Sequence, residues 1–254
     1  MRDAGEIDVR ATIDGTRFGL YQTLIVGLCM LVVFFDGYDT QSIGYVAPLM
    51  AKDLALGIAS FGPIFAAGLV GLMLGAMGFG TLADQIGRKW SVVLSVLLYS
   101  VFSLLTPLAD SFASLLALRF LAGLGAGGAL PIVTAIAHEY TPERSRTFVV
   151  AIVNSGFPMG SIVGGLLSAS IIGAYGWPAI FYIGGVAPLF VLLAVVVWLP
   201  ESIGFLALKG TASTEIVRIL GDITGQTIAP DTRFRIGRRQ ASPFITSSAM
   251  DAPL

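Results

Sequence analysis

The chain has 254 residues, 55% of them hydrophobic and only 12% charged, with a formal net charge of −1. Soluble domains carry about 25% charged residues, and a water-soluble fold of this size could not cover so much apolar surface with so few charges. That excludes the soluble classes and leaves a membrane protein, whose near-zero net charge hides a sorted distribution.

Taken in order, residues 1–19 form a polar leader of mixed charge, expected to be cytoplasmic. No cleavable signal peptide is expected, because the first apolar run is too long for one. Six apolar runs follow, near 22–50, 60–82, 90–109, 113–138, 147–172 and 177–199. Each is long enough for a hydrocarbon core of roughly 30 Å, which takes about 20 helical residues. The pattern predicts an all-α integral membrane bundle of six transmembrane helices over 20–199, then a cytoplasmic tail over 200–254. With the N-terminus inside, the inner segments hold thirteen basic residues: Arg2, Arg10, Arg17, Arg88, Lys89, Arg144, Arg146, Lys209, Arg218, Arg233, Arg235, Arg238 and Arg239. The outer loops hold only Lys52, and Arg119 lies within a span. This positive-inside bias predicts a multi-pass protein of the cytoplasmic (inner) membrane with both termini in the cytoplasm.

The first run contains two carboxylates, Asp36 and Asp39. A charge at the centre of a spanning helix costs roughly 2.5–3.5 kcal/mol on insertion scales. The i, i+3 spacing puts both on one helix face, which can turn toward a polar interior. At the 1.5 Å helical rise, Asp36 lies roughly 18 Å and Asp39 roughly 22 Å from the inner start of their span. Arg119, on an oppositely directed span, lies roughly 10 Å from the outer start of its own. The three charges share one level, so a carboxylate–guanidinium encounter is expected, serving either transport or plain neutralisation. Tyr38 and Gln41 are candidate stacking or polar contacts beside them.

Small residues recur at four-residue spacing: Ala67, Gly71 and Gly75; Gly123 and Gly127; Gly156, Gly160, Gly164 and Ser168. Such ridges let helix backbones approach closely in lipid, while Pro131, Pro158 and Pro188 are expected to kink their helices. Cys29, the single cysteine, reads as a packed, inert thiol. The segment 123–128 matches the letters of a dinucleotide fingerprint, but it lies inside an apolar span, and helix packing explains it. His138 reads as a solvated loop residue, with no metal site implied. In the tail, Thr214 is expected to cap a short helix through Asp222, and Thr227–Leu254 reads as loop. Its arginines fit an anionic lipid surface better than nucleic acid, because no aromatic residues interleave them.

The loop between the second and third runs reads Gly80-Thr81-Leu82-Ala83-Asp84-Gln85-Ile86-Gly87-Arg88-Lys89. This order resembles the signature loop of the major facilitator superfamily. Arg119-x-x-x-Gly123-x-x-x-Gly127, the Gly/Pro-rich stretch from Asn154 to Gly165, and Pro200-Glu201-Ser202 are similar to its fourth-span, fifth-span and exit motifs. Asp36-Gly37-Tyr38-Asp39-Thr40, followed by Ile43 to Pro48, resembles the first span of the aromatic acid:proton symporters, whose members import compounds such as 4-hydroxybenzoate. Gly204 departs from that branch, which usually has arginine there.

The resemblance implies two three-helix inverted repeats forming half of a twelve-span transporter, with a missing C-terminal six-helix half as partner. It further implies an aromatic carboxylate as substrate, a proton as coupling ion and no cofactor. Asp84, Arg88 and Glu139 would form an inner charge cluster that gates access, with Gly80, Gly87 and Lys89 in the same loop. Arg144 and Arg146 either join that cluster or merely obey topology. A planar aromatic carboxylate suits bidentate pairing with a guanidinium, so a substrate would compete with the acids for Arg119. Three other readings fit the same letters: a sugar or other organic-solute porter of the superfamily, an inert fragment without transport of its own, and a membrane-embedded enzyme. The last lacks any metal or nucleophile constellation.

Overall fold

The computed structural model describes residues 6–209, 213–224 and 233–235. Six of its helices are long and apolar enough to cross a membrane: α2 (Leu20–Asp53), α3 (Phe61–Ile86), α4 (Arg88–Leu105), α5 (Phe112–Tyr140), α6 (Arg146–Tyr175) and α7 (Pro178–Trp198). They are preceded by β1 (Glu6–Asp8) and α1 (Val9–Gly15), and followed by α8 (Ile203–Lys209), α9 (Ser213–Thr224) and β2 (Arg233–Arg235). The all-α class holds, with one exception: β1 and β2 pair in parallel, Ile7 opposite Phe234. The composition of 227–254 predicts loop, and 233–235 is strand instead; the other residues of that stretch lie outside the described residues.

Two further differences are local. The leader contains a helix, because Asp8 caps it by accepting from the amides of Arg10 at 3.0 Å and Ala11 at 3.2 Å. In the tail, α9 begins at Ser213, one residue before the expected cap. Pro131, Pro158 and Pro188 each lie inside a single α-helix, as does Pro48.

The helix pairings carry an internal symmetry. α3 packs on α5 and α2 on α6; α4 touches α5 and α7, and α2 touches α5 and α7. Exchanging α2 with α5, α3 with α6 and α4 with α7 maps each of these pairings onto another or onto itself. The exchanged helices run in opposite directions, so the bundle is built from two inverted three-helix repeats.

The glycine ridges make the two closest contacts. An added Cβ at Gly71 or Gly75 would strike the backbone of Phe120 or Leu124, and one at Gly123 or Gly127 that of Gly68 or Leu72. The symmetry-related pair does the same, with Gly156 and Gly160 against Met30 and Phe34, and Gly37 against Phe157. Backbones this close gain dispersion contacts that lipid does not replace. The buried side chains form two apolar clusters, one reaching α1, α8 and α9 and the other lying at the opposite end of the spans. The polar site lies where they meet.

Candidate functional site

Asp36, Asp39 and Arg119 are 2%, 3% and 5% exposed, so all three charges are withdrawn from the surface of the bundle. Arg119 Nη1 lies 3.6 Å from Asp39 Oδ2, an ion pair longer than a hydrogen bond. The guanidinium is fixed from two other directions. Its Nη2 donates a short hydrogen bond to Thr106 Oγ1, and its Cζ lies 4.9 Å from the centroid of the Phe181 ring, a cation–π contact. Its Nε makes no hydrogen bond among the described residues.

The two acids, equivalent by sequence spacing, differ in surroundings. Asp39 accepts from Ser103 Oγ at 2.5 Å in addition to facing Arg119. Among the described residues, Asp36 accepts only a weak bond from Thr40 Oγ1, at 3.4 Å. The residue that makes this difference, Ser103, stands on α4 in a row of fully buried hydroxyl side chains with Ser91, Ser95 and Tyr99, which Thr106 continues just past the helix end. The sequence reading missed them, although a hydroxyl on every turn of an apolar span was a visible signal.

A cavity of about 180 Å³ opens beside the ion pair between α2, α3 and α5. Asp39, Thr40, Gln41 and Arg119 supply its polar lining, and Ile64, Phe65, Leu69 and Leu72 much of its apolar wall. Tyr38 is not part of it. Its hydroxyl donates to the Ile180 carbonyl at 3.0 Å, and its ring packs where Gly164 of α6 and Gly184 of α7 leave room.

A second polar cluster lies at the end of the bundle where α3 meets α4. Arg88 Nη1 donates a short bond to Glu139 Oε1, and Glu139 Oε2 accepts from Ser202 Oγ at 2.7 Å. Glu201 Oε1 accepts from the amides of Arg88 (2.7 Å), Lys89 (3.0 Å) and Ser202 (2.8 Å), capping α4 from the far end of the chain. Gly87 makes this possible: its φ is +101°, and a Cβ there would collide with the Glu201 carboxylate.

Asp84 stands apart from the expected Asp84–Arg88–Glu139 cluster. It is exposed and has no hydrogen bond or ion pair among the described residues. Gly87 ends α3 between the two residues, and Arg88, the first residue of α4, pairs with Glu139 of α5. Gly80 also faces open space. Arg144 and Arg146 hold the leader instead of this cluster, through Thr16 O at 2.8 Å and Asp14 Oδ1 at 2.8 Å. Gly204 donates weakly to Glu139 at 3.5 Å. Among the described residues, no group of acidic, histidine and cysteine side chains is placed to hold a metal ion.

A buried acid–guanidinium site beside a cavity, inside a bundle of inverted repeats, is the architecture of a solute carrier. Residues 29–228 match the family model of the Major Facilitator Superfamily. The chain belongs to that superfamily. It is 40% identical over 235 residues to the 4-hydroxybenzoate transporter PcaK of Pseudomonas putida, covering 92% of this chain and 52% of that protein. Against the gallate transporter of Pseudomonas putida, identity is 40% over 231 residues, covering 91% and 51%. The benzoate transport protein of Acinetobacter baylyi is 34% identical over 80% of this chain and 45% of its own.

The chain therefore spans about half the length of the curated relatives it matches. Among solved structures, the proton:xylose symporter XylE bound to 6-bromo-6-deoxy-D-glucose superposes with a TM-score of 0.70 at 20% identity, over 80% of this chain and 50% of that one. A bacterial homologue of the human lysosomal transporter Spinster gives 0.64 at 21% identity, over 72% and 44%. These likenesses establish the fold. The superfamily is one of transporters, not enzymes, and the relatives are carriers of aromatic acids.

Proposed function

We propose that this chain is the N-terminal six-helix half of a proton-coupled importer of aromatic carboxylates such as 4-hydroxybenzoate, resident in the cytoplasmic membrane with both termini inside. The observation that carries the reading is the Asp39–Arg119 pair, buried beside a cavity with a second buried acid one helical turn away. The names of the relatives support the substrate class, and the positive-inside bias supports the orientation.

A substrate carboxylate displaces Asp39 from the guanidinium, using the unengaged Nε as one of two parallel donors. The freed acid takes up a proton, so anion and proton move together and no net charge crosses alone. Thr40 and Gln41 face the ring substituents, and the apolar wall accepts the ring. The Arg88–Glu139 pair biases the inner ends of α4 and α5 toward closure while the outer side is open. The second half of the cavity comes from a further six-helix unit.

The test is uptake of radiolabelled 4-hydroxybenzoate by cells expressing the chain, alone and together with the C-terminal half of the Pseudomonas putida relative as a separate polypeptide. Uptake is expected to collapse with a protonophore and to be lost in Asp36→Asn and Asp39→Asn at unchanged membrane levels. Full uptake in both variants would remove the proton role. Glucose taken up at a comparable rate would instead make the chain part of a sugar porter.

A further inference from the structure

The Tyr99 hydroxyl has no hydrogen-bond partner among the described residues, although the side chain is fully buried at the centre of α4. A buried hydroxyl without a partner is uncommon and calls for a reason. Ser103 of α4 meets Asp39 of α2, and Tyr99 stands one turn before Ser103 as Asp36 stands one turn before Asp39, which brings Tyr99 to the level of Asp36. Asp39 already has Ser103 and Arg119, whereas Asp36 has a single long bond, from Thr40, among the described residues. Asp36 is thus a buried acid short of donors, beside a buried donor short of an acceptor.

We propose that Tyr99 is a positioning residue for proton exchange at Asp36, its O–H donating to the carboxylate when that group ionises. This rests on the carrier reading above. When Asp36 is protonated it needs no such donor, and the tyrosine is idle. When the proton leaves, the carboxylate must find hydrogen bonds without water, and Tyr99 turns or shifts to supply one. No proton is gained or lost by Tyr99 itself. The other ionisable groups around Asp36 are Asp39 and Tyr38 on its own helix and Arg119 on α5. The spans of α6 and α7 bring no carboxyl, amino, guanidinium or imidazole group to this level.

The experiment is pH-difference infrared spectroscopy of the purified chain in lipid nanodiscs, with the protonated-carboxyl band of Asp36 assigned by its loss in Asp36→Asn. In Tyr99→Phe the band is expected to persist to a more alkaline midpoint by about one pH unit, a tenfold change in proton affinity. Tyr99→Phe keeps the ring and removes only an unpaired hydroxyl, so its melting temperature should hold or rise. If Tyr99 only fills space, the variant leaves the midpoint where it was, and that result overturns the proposal alone. If the unaltered chain has no Asp36 band that titrates, the proposal fails as well, while the carrier reading, which gives the transported proton to Asp39, stands or falls with the uptake assay.

Discussion

Arg119 and Asp39 face each other at 3.6 Å between α5 and α2, and each is held by a different hydroxyl, Thr106 just past the end of α4 for the guanidinium and Ser103 of α4 for the carboxylate. The third helix therefore decides which acid meets the arginine. Charges this deeply buried repay their desolvation only while all partners are present.

The first prediction follows from that dependence. Arg119→Met leaves Asp39 buried beside no cation and should cost about 3–5 kcal/mol, whereas the double variant Asp39→Asn/Arg119→Met should cost markedly less. Thermal unfolding in detergent measures both. Equal losses in the two would mean that the pair contributes nothing to the fold beyond its separate members.

A second prediction separates ridges from ordinary glycines. Gly75→Ala and Gly160→Ala push a methyl into the Leu124 and Phe34 carbonyls, and each should cost about 1–3 kcal/mol through overpacking. Gly78 has open space around its Cβ position. Gly78→Ala should therefore be neutral or gain about 0.5–1 kcal/mol, because alanine loses less chain entropy in a helix. Melting temperatures of the three variants in one detergent check the contrast.

Much of this was legible in the letters, and for physical reasons. Span positions follow from the length of apolar runs, because lipid admits no unpaired backbone. Counting helical rise was enough to put Asp39 and Arg119 at one level. The inequality of Asp36 and Asp39 was not legible, since an i, i+3 spacing treats them alike and the distinction comes from Ser103 on another helix. Glu201 was visible only as part of an exit motif, although its carboxylate caps a helix 113 residues earlier. The β1–β2 pairing joins two three-residue segments, Glu6-Ile7-Asp8 and Arg233-Phe234-Arg235, whose polar–apolar–polar alternation is too short to mark a strand. The grouping of Asp84 with Arg88 and Glu139 rests on the resemblance to the superfamily alone, and among the described residues Arg88 pairs with Glu139 while Asp84 is exposed.

Glu201 gives a third prediction. One carboxylate oxygen receives three amides, two of them from the first turn of α4, where negative charge also complements the helix dipole. Glu201→Ala should lower stability by roughly 1–3 kcal/mol and expose Arg88 and Lys89 to trypsin. Glu201→Gln keeps an acceptor oxygen and should lose about half as much. Trypsin resistance equal to that of the unaltered chain in Glu201→Ala would show that the cap is dispensable.

The last prediction concerns the two residues that the signature loop sets on opposite sides of Gly87. Arg88 is tied to Glu139, so Arg88→Ala releases the start of α4 from the end of α5 in the arrangement described here. Asp84 has no partner among the described residues in this arrangement, so Asp84→Asn disturbs nothing in it and acts only if the acid finds a partner elsewhere in the cycle. If these groups bias a two-state rocking equilibrium without touching substrate, both substitutions change the rate of interconversion more than the binding step. In the uptake assay with 4-hydroxybenzoate, Asp84→Asn should lower the maximal rate several-fold while KM stays within about twofold. Arg88→Ala should do the same and, unlike Asp84→Asn, should also speed tryptic cleavage at Lys89. A raised KM at an unchanged maximal rate would assign Asp84 to substrate binding and remove it from the gate.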